Sequence, residues 1–236
     1  IPMIEHVYRR SILAKSVDSV FVAACDDEIK NFMENINGEV IMTDKEIDRP
    51  GIRVAEAAKK LGLNDDDIIV IVQGDEPLIH PESLELGIKI LTSNRDLCCV
   101  NYCADADEGE WLDTDVVKVV TDTHMNLLYL SRSPIPSNTR YRSAPLLKQL
   151  GIFFFTMKNL IEFQNLSAEP LEITESIEHL RALEHGKNIK MIKYPYTIKS
   201  VDNEIQRRDV EALMNKDAFW PIYKDKCSVT YSTTEK

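Results

Sequence analysis

Residues 67–77 read Asp-Ile-Ile-Val-Ile-Val-Gln-Gly-Asp-Glu-Pro. The uninterrupted apolar run is typical of a strand that is buried on both faces, as the strands of parallel sheets are. Gly74 permits a tight turn after this strand, and Pro77 prevents the strand from continuing. Asp75 then lies at the carboxyl end of a strand, where open α/β sheets bind ligands. Because Mg²⁺ prefers carboxylate oxygens, Asp75 is a candidate metal ligand, although five residues alone also fit a plain polar turn.

Strand and helix patterns alternate along the rest of the chain in units of about 30 residues, which predicts an α/β fold with a mainly parallel sheet and helices on both faces. The strand patterns occupy residues 17–24, 38–42, 67–72, 97–103, 116–120, 127–130 and 189–192. The helical patterns begin near residues 4 and 26 and occupy 53–61, 81–91, 158–165, 171–185 and 204–214. Residues 116–130 are predicted to form a hairpin.

The predicted organisation is a single α/β domain over residues 1–236. Residues 131–186 are rich in loops and prolines, and we interpret them as a lobe inserted into that domain, with a role in dimerisation. The run Phe153-Phe154-Phe155 within this lobe is a candidate core and interface strand, because an exposed aromatic edge is a liability in a monomer. The polar residues 217–236 are a candidate flexible tail.

Composition excludes several classes of function. The net charge of −11 argues against nucleic-acid binding, which needs a basic surface. No apolar stretch approaches the ~20 residues that span a bilayer, so no membrane contact is expected. The five cysteines show no zinc-ligand spacing, and their odd number fits a reducing, cytoplasmic compartment. The chain opens on a helix with no strand before it, so we expect an N-terminal truncation.

Several segments, in order and over about residues 1–215, resemble the 3-deoxy-manno-octulosonate (KDO) cytidylyltransferases. The similar segments are residues 2–7, 72–77, 116–120, 128–136, 150–152, 170–172, 178–183 and 200–202. The resemblance implies the Rossmann-like fold of the nucleotide-diphospho-sugar transferases. It also implies Mg²⁺-dependent transfer of CMP from CTP to a 2-keto-3-deoxy sugar acid, a homodimer, and a place in lipopolysaccharide biosynthesis.

The resemblance also implies roles for individual residues. Asp75 and Asp202 would be the catalytic metal ligands. Arg53, Gln73 and Gly74 would bind the nucleotide. The residues implied in sugar binding are Gln73, Lys118, Arg132, Gln149, Phe153 and His179. Arg132 suits the substrate carboxylate, since its planar guanidinium offers a two-point grip.

The chain departs from the family pattern in three places. The given residues begin just beyond the family's N-terminal triphosphate-binding loop, which is either omitted from this sequence or lacking in the protein. Ser-Gly-Thr-Glu-Arg is replaced by residues 49–53, where only Arg53 is retained. The family's His and Gln have exchanged places at Gln149 and His179, and a tyrosine is replaced by Phe153. Since binding sites discriminate through hydrogen-bonding groups, we interpret the last changes as a preference for a differently decorated sugar acid.

Alternatives remain open at this level. Asp202 also fits a helix cap, Arg132 an ion pair with a nearby acid, and Lys118 a residue that flanks the sheet. A related cytidylyltransferase for a nonulosonic, sialic-type acid would share the fold and the metal ligands. A truncated, non-catalytic binding or assembly protein is a second alternative. Residues 113–115, Asp-Thr-Asp, resemble a glycosyltransferase metal motif, but they precede a strand.

Overall fold

The computed structural model describes residues 1–227 except Arg95, Asn138, Thr139, Arg142, Thr197 and Asp202. The helices are α1 (Met3–Ile12), α2 (Asp27–Asn35), α3 (Pro50–Leu61), α4 (Pro81–Ser93), α5 (Glu108–Leu112), α6 (Met157–Gln164), α7 (Pro170–Glu175), α8 (Leu180–Glu184), α9 (Glu204–Met214) and α10 (Trp220–Tyr223), and a 3-10 turn follows at Lys224–Lys226. The strands are β1 (Val22–Ala24), β2 (Val40–Met42), β3 (Ile68–Val72), β4 (Cys99–Asp105), β5 (Lys118–Thr121), β6 (Leu127–Ser131), β7 (Leu147–Thr156) and β8 (Ile189–Lys193).

These elements form two compact units. The first unit contains Ile1–Asp48, Val72–Glu85 and Tyr196–Lys236, and the second contains Arg49–Ile71 and Leu86–Pro195. In the part of the chain that the structure describes, no helix is long and apolar enough to cross a membrane.

The first unit contains a two-stranded parallel sheet, β1 with β2, covered by α1 and α2. Tyr8, Met33 and Ile36 form the apolar cluster between the helices, as the apolar spacing of α1 predicts. The strand predicted over residues 17–24 is confirmed only for its last three residues, Val22–Ala24.

A fully buried arginine ties the C-terminal part of this unit to α1. The Arg10 guanidinium donates to the Asp217 carboxylate at 2.5 Å, to the hydroxyl of Tyr223 at 3.2 Å and to the carbonyl of Ile79 at 3.3 Å. A buried arginine needs this set of partners, because an unpaired buried charge is strongly destabilising. The candidate flexible tail is therefore helical and packed as far as Cys227, and residues 228–236 lie outside the described residues.

The second unit is built on a six-stranded sheet in the order β6-β5-β7-β4-β8, with β3 also pairing with β7. The β5–β6, β5–β7 and β4–β7 ladders are antiparallel, whereas β4–β8 is parallel. The α/β class and the β5–β6 hairpin are confirmed, but the prediction of a mainly parallel sheet is not. The sheet is mixed because the hairpin and the long strand β7 run against their neighbours.

Strand β7 lies inside this sheet, between β5 and β4. Phe153, Phe154 and Phe155 are all buried, so they are core residues and do not form an exposed aromatic edge. Their prediction as core is confirmed, and their prediction as an interface strand is wrong. In the described part of residues 131–186 we find no separate dimerisation lobe, since the segment supplies β7 and helices α6–α8 to this unit.

The helix predicted over residues 171–185 is interrupted. It forms α7 and α8, and the break lies at Ser176, whose φ of 53° is left-handed. Just before the break, the Glu175 carboxylate accepts hydrogen bonds from the Ser131 hydroxyl at 2.6 Å and from the Arg132 backbone N–H at 2.8 Å. These tertiary bonds anchor the end of α7 to the end of β6, and helical periodicity alone does not reveal them.

Candidate functional site

The turn that follows β3 is held by its own backbone. The Glu76 N–H donates to the Gln73 carbonyl at 3.3 Å, and the Ile79 N–H donates to the Glu76 carbonyl at 3.1 Å. Asp75 is half-buried and Glu76 is buried, so the two successive carboxylates have different access to solvent. Asp75 is the more accessible of the two.

Gly74 is not required by the geometry of this turn. Its φ lies outside the left-handed region, and a Cβ added there would meet only Cδ1 of Ile4, at 3.5 Å. The turn follows β3 as predicted, but an ordinary side chain also fits at this position, so the turn does not depend on the conformational freedom of glycine.

Residues beyond the turn anchor it within the first unit. Leu78 packs in an apolar cluster with Val210 and Met214 of α9. The imidazole of His80 stacks on Tyr196 with 3.6 Å between ring centroids and contacts Phe219 edge-on at 4.6 Å. Burial lowers the pKa of His80, which favours the neutral imidazole in this stack. The turn that carries Asp75 is thus attached to packed residues on both α9 and the segment before α10.

Asp202, the second predicted metal ligand, directly follows Val201, which is hydrogen-bonded to the Asp75 turn. The Val201 N–H donates to the Asp75 carbonyl at 3.0 Å. Asp202, the next residue in the chain, lies outside the described residues. The hydrogen bond brings the chain segment that leads into Asp202 to the Asp75 turn, although the two residues are distant in sequence.

The donor chemistry of this turn suits a hard cation. Asp75 offers carboxylate oxygens, the ligands that Mg²⁺ takes together with substrate phosphates. Within the described ranges, no three His, Cys, Asp or Glu side chains are placed to hold a metal ion by themselves. One or two protein carboxylates with the remaining ligands from water and substrate are the usual arrangement for Mg²⁺.

Two of the residues predicted to bind the sugar, Gln149 and Phe153, share one face of the second unit's sheet, and a third, His179, packs against that face. Asn101 pairs with Phe153 and Cys103 with Gln149 across the β4–β7 ladder, and paired residues project to the same face. His179, which immediately precedes α8, stacks on Phe153 with 4.1 Å between ring centroids. Gln149, Phe153 and His179 are therefore brought together, as the resemblance implied.

The burial of Phe153 and His179 determines how each side chain can contact a ligand. Phe153 is 5% exposed, so it contacts a ligand only through the imidazole it supports. His179 is also buried, and burial together with the Arg181 charge lowers its pKa to about 3. The imidazole is therefore neutral at physiological pH, with one donor and one acceptor nitrogen.

Arg132 is already engaged by the protein. Its Nε donates to the Glu175 carbonyl at 2.9 Å, and its Nη1 donates to the carbonyls of Thr114 and Asp115 at 3.2 and 3.3 Å. Among the residues that the structure describes, Nη2 is the one guanidinium nitrogen of Arg132 with no bond, so a two-point grip on a substrate carboxylate would have to displace one of the others. Arg132 thus links the end of α7 to the loop before β5. Its guanidinium bonds go to backbone carbonyls, one of them that of Glu175, and not to an acidic side chain as the alternative predicted.

Lys118 is a buried residue of β5. Its Nζ donates to the carbonyls of Asp113 and Val116 at 2.5 and 2.7 Å. Burial lowers the pKa of Lys118, and the Asp113 charge partly opposes this. The geometry favours the structural alternative, in which Lys118 holds the loop before β5. Asp113 and Asp115 belong to the same loop, where Oδ1 of Asp113 accepts the Asp115 N–H at 2.9 Å.

Arg53 lies half-buried in the first turn of α3, and the start of that helix rests on a buried acid. The Gly51 N–H and the Gln164 Nε2, at 3.1 Å, donate to the Glu178 carboxylate. A Cβ at Gly51 would come within 2.9 Å of both side chains, so the glycine allows this close approach. Burial raises the pKa of Glu178, and the bond from Gln164 opposes that shift.

Sequence reasoning missed three polar residues that organise this unit: Asn101, Glu175 and Glu178. One signal was available for Asn101, which interrupts an otherwise apolar strand pattern. A polar side chain in a buried strand must find hydrogen-bond partners, and it therefore merits attention. Glu175 and Glu178 carried no such signal, since both lay in what was predicted to be a continuous amphipathic helix.

Comparison with known proteins gives consistent results. Residues 1–189 match the cytidylyltransferase family. The 8-amino-3,8-dideoxy-manno-octulosonate cytidylyltransferase of Shewanella woodyi is 38% identical over 218 residues, which are 92% of this chain and 89% of that protein. The corresponding enzyme of Shewanella frigidimarina is 37% identical over 219 residues, with the same two coverages.

Two solved structures are similar as well. CMP:2-keto-3-deoxy-manno-octonic acid synthetase complexed with CTP superimposes with a TM-score of 0.83 and 31% identity, covering 91% of this chain and 88% of that one. A Bacillus anthracis protein assigned as a glucose-1-phosphate thymidylyltransferase has a TM-score of 0.60 at 13% identity, covering 90% and 82%, and so shares the fold alone.

Fold and relatives together define the class: this is an α/β nucleotidyltransferase. Within that class the chain belongs to the cytidylyltransferase family. The family resemblance inferred from the sequence is confirmed, and the glycosyltransferase and non-catalytic alternatives are set aside.

Proposed function

We propose that this enzyme transfers CMP from CTP to the anomeric hydroxyl of a manno-octulosonate (KDO-type) 2-keto acid. A bond forms between the sugar oxygen and the α-phosphorus, and the bond from that phosphorus to the β-phosphate oxygen breaks. The hydroxyl proton passes to solvent water, and pyrophosphate leaves with the electron pair of the broken bond. Nucleotidyl transfer of this kind depends on positioning and charge neutralisation more than on a protein nucleophile.

One observation carries this proposal: nine-tenths of the chain aligns with cytidylyltransferases that act on a manno-octulosonate, at more than a third identity. The similar structure that holds CTP supports CTP as the nucleotide. We further propose that the preferred acid carries an amino group at C8, as in the names of those relatives. The exchange of His and Gln between positions 149 and 179 supports a pocket adapted to a modified acid.

We assign the catalytic metal ligands as Asp75 and Asp202. The bond between the Val201 N–H and the Asp75 carbonyl supports their convergence. These carboxylates would hold Mg²⁺, which would supply charge neutralisation for the triphosphate and would lower the pKa of the attacking hydroxyl. Gln73, Gly74 and Arg53 contact the nucleotide in this proposal.

The sugar acid is assigned to Gln149 and to His179, with Phe153 holding the imidazole in place. The neutral imidazole can donate to one hydroxyl and accept from another. Gln73, Arg132 and Lys118 complete the predicted set. The bonds of the last two to backbone carbonyls favour an indirect role, in which they fix the loops that border the sugar.

The test is release of pyrophosphate from CTP with a panel of KDO, its 8-amino derivative and a sialic acid. We expect turnover with KDO and with its 8-amino derivative, and a higher kcat/KM for the 8-amino derivative. We expect no turnover with the sialic acid. Sialic-acid turnover alone would establish the nonulosonate alternative. Absence of turnover with every acid would refute the proposal.

Asp75→Asn should lower kcat/KM about a hundredfold or more, because a metal ligand stabilises transition-state charge by several kcal/mol. Asp105→Asn is the matched control. It removes an exposed carboxylate paired with Lys193 at 2.8 Å, and activity should be retained. Equal loss in both variants would contradict the role of Asp75.

The homodimer implied by the resemblance is also part of this proposal. The aromatic edge that the sequence also offered in its support is buried, so the dimer rests on the resemblance alone. Sedimentation of the protein at micromolar concentration would test the dimer directly, and a monomer at all concentrations would refute it.

A further inference from the structure

Strand β7 bulges opposite β4 at the predicted sugar residues. Asn101 pairs with Phe153 and Cys103 with Gln149, so two steps along β4 correspond to four along β7. A bulge of this kind interrupts the ladder and leaves backbone groups without their usual partners. Here the freed carbonyls are those of Leu150 and Ile152.

The Asn101 side chain replaces the missing backbone donors. Its Nδ2 donates to the Leu150 carbonyl at 2.9 Å and to the Ile152 carbonyl at 2.8 Å. Asn101 is fully buried, so no solvent competes for these bonds. Only an amide nitrogen can face two carbonyl oxygens, and this chemistry determines which way the Asn101 amide points.

The orientation of the Asn101 amide in turn determines the orientation of the Gln149 amide. With both Nδ2 hydrogens committed, Asn101 offers only its Oδ1, which accepts from the Gln149 Nε2 at 3.0 Å. The Gln149 amide is thereby fixed with its nitrogen toward Asn101. Its Oε1 takes no hydrogen bond from any residue that the structure describes, and the half-buried side chain leaves this oxygen available to a ligand.

We propose that Asn101 is a positioning residue that fixes the polarity of the Gln149 amide, so that Gln149 presents an acceptor, Oε1, to a hydrogen-bond donor on the sugar acid. The inference rests on the proposed function and deepens it. It gives a reason for glutamine at this position, since an isolated glutamine amide could turn either end toward the substrate.

The orientation of the Gln149 amide matters most when the hydrogen-bond donor on the substrate is a charged ammonium group. An ammonium group can only donate, whereas a hydroxyl can donate or accept. An amide free to flip would therefore still serve a hydroxyl but would often offer the wrong end to an ammonium. Hydrogen bonds to charged groups are also about twice as strong as neutral ones. Fixing the amide should raise the preference for the 8-amino acid over KDO.

The measurement is the ratio of kcat/KM for the 8-amino acid to kcat/KM for KDO. Gln149→Met keeps the size of the side chain and removes the acceptor, and we expect this ratio to fall about tenfold. Asn101→Ala releases the Gln149 amide, and we expect the ratio to fall by a smaller factor, about threefold. Adding Gln149→Glu to Asn101→Ala should restore the ratio, because both oxygens of a carboxylate accept.

Rescue by glutamate separates positioning from a structural role. Loss of two carbonyl partners also destabilises Asn101→Ala, but Gln149→Glu does not replace those bonds. Asn159→Ala is the matched control: Nδ2 of Asn159 donates to the Leu97 carbonyl at 2.7 Å, and its loss should leave the ratio unchanged. If Asn101→Ala does not fold, Gln149→Met still tests whether the Oε1 acceptor sets the ratio, and an unchanged ratio there overturns the inference.

The outcomes are distinct. A ratio unchanged in Gln149→Met, or lowered in Asn101→Ala and not restored by glutamate, overturns the inference while the proposed function stands. Turnover of KDO alone by the wild-type enzyme overturns the inference too. Wild-type protein that releases no pyrophosphate with either acid overturns the proposed function and the inference with it.

Discussion

At the scale of single residues, His179 couples stability to pH. Its imidazole is buried against Phe153 and Phe163, and burial lowers its pKa from 6.5 to about 3. The unfolded chain binds this proton as the pH falls below 6.5, whereas the folded protein does so only near pH 3. The stability contributed by neutral His179 is therefore complete above pH 6.5 and is lost as the pH falls toward 3.

We therefore predict that His179→Phe reduces the loss of stability between pH 7.5 and about pH 5. The difference in the free energy of unfolding should be about 2 kcal/mol, from 1.36 kcal/mol per pKa unit. Urea unfolding of both proteins at the two pH values measures it. His6, whose pKa burial lowers to about 4, titrates alike in both proteins and cancels. Equal losses would contradict a neutral His179.

At the scale of elements, helix α4 packs closely against strand β7 at Gly87. A Cβ at Gly87 would lie 2.2–2.5 Å from three ring carbons of Phe154, which is fully buried. The overlap is with a rigid ring inside the core, so relief requires movement of the helix or of the ring. A glycine within a helical pattern usually has such a packing reason.

We predict that Gly87→Ala lowers the free energy of unfolding by about 2 kcal/mol, the cost of overpacking exceeding the helix propensity gained. Gly74→Ala is the control, since its Cβ meets only Ile4 at ordinary contact distance, and it should change stability by less than about 0.5 kcal/mol. The double variant Gly87→Ala/Phe154→Leu should regain part of the loss. A stable Gly87→Ala protein would mean that α4 does not pack here as described.

At the scale of the whole molecule, the sequence predicted those features of the fold that depend on residues adjacent in the chain. The strand before Asp75, the β5–β6 hairpin and the buried phenylalanines are confirmed, because period, turn residues and hydrophobicity are properties of neighbouring residues. The direction of β7 was not predictable in this way, since it depends on pairing between Val100 and Phe154, far apart in the chain. The strand pattern marks Asn101 as an unusual polar residue, but its partners were not predictable, because the carbonyls that it binds become available only once the bulge has formed.

Nucleotide binding should also appear as stabilisation of the folded chain. A ligand that binds only the native state at a hundred times its Kd stabilises by about 2.7 kcal/mol, which raises Tm by roughly 5–10 °C in a protein of this size. We predict a shift of this order with CTP and Mg²⁺ together, and a smaller one with CTP and a chelator. Asp75→Asn should remove the Mg²⁺-dependent part of the shift, whereas Asp105→Asn should keep it. Thermal unfolding with calorimetry measures both, and an Mg²⁺-dependent shift that survives in Asp75→Asn would place the cation elsewhere in the chain.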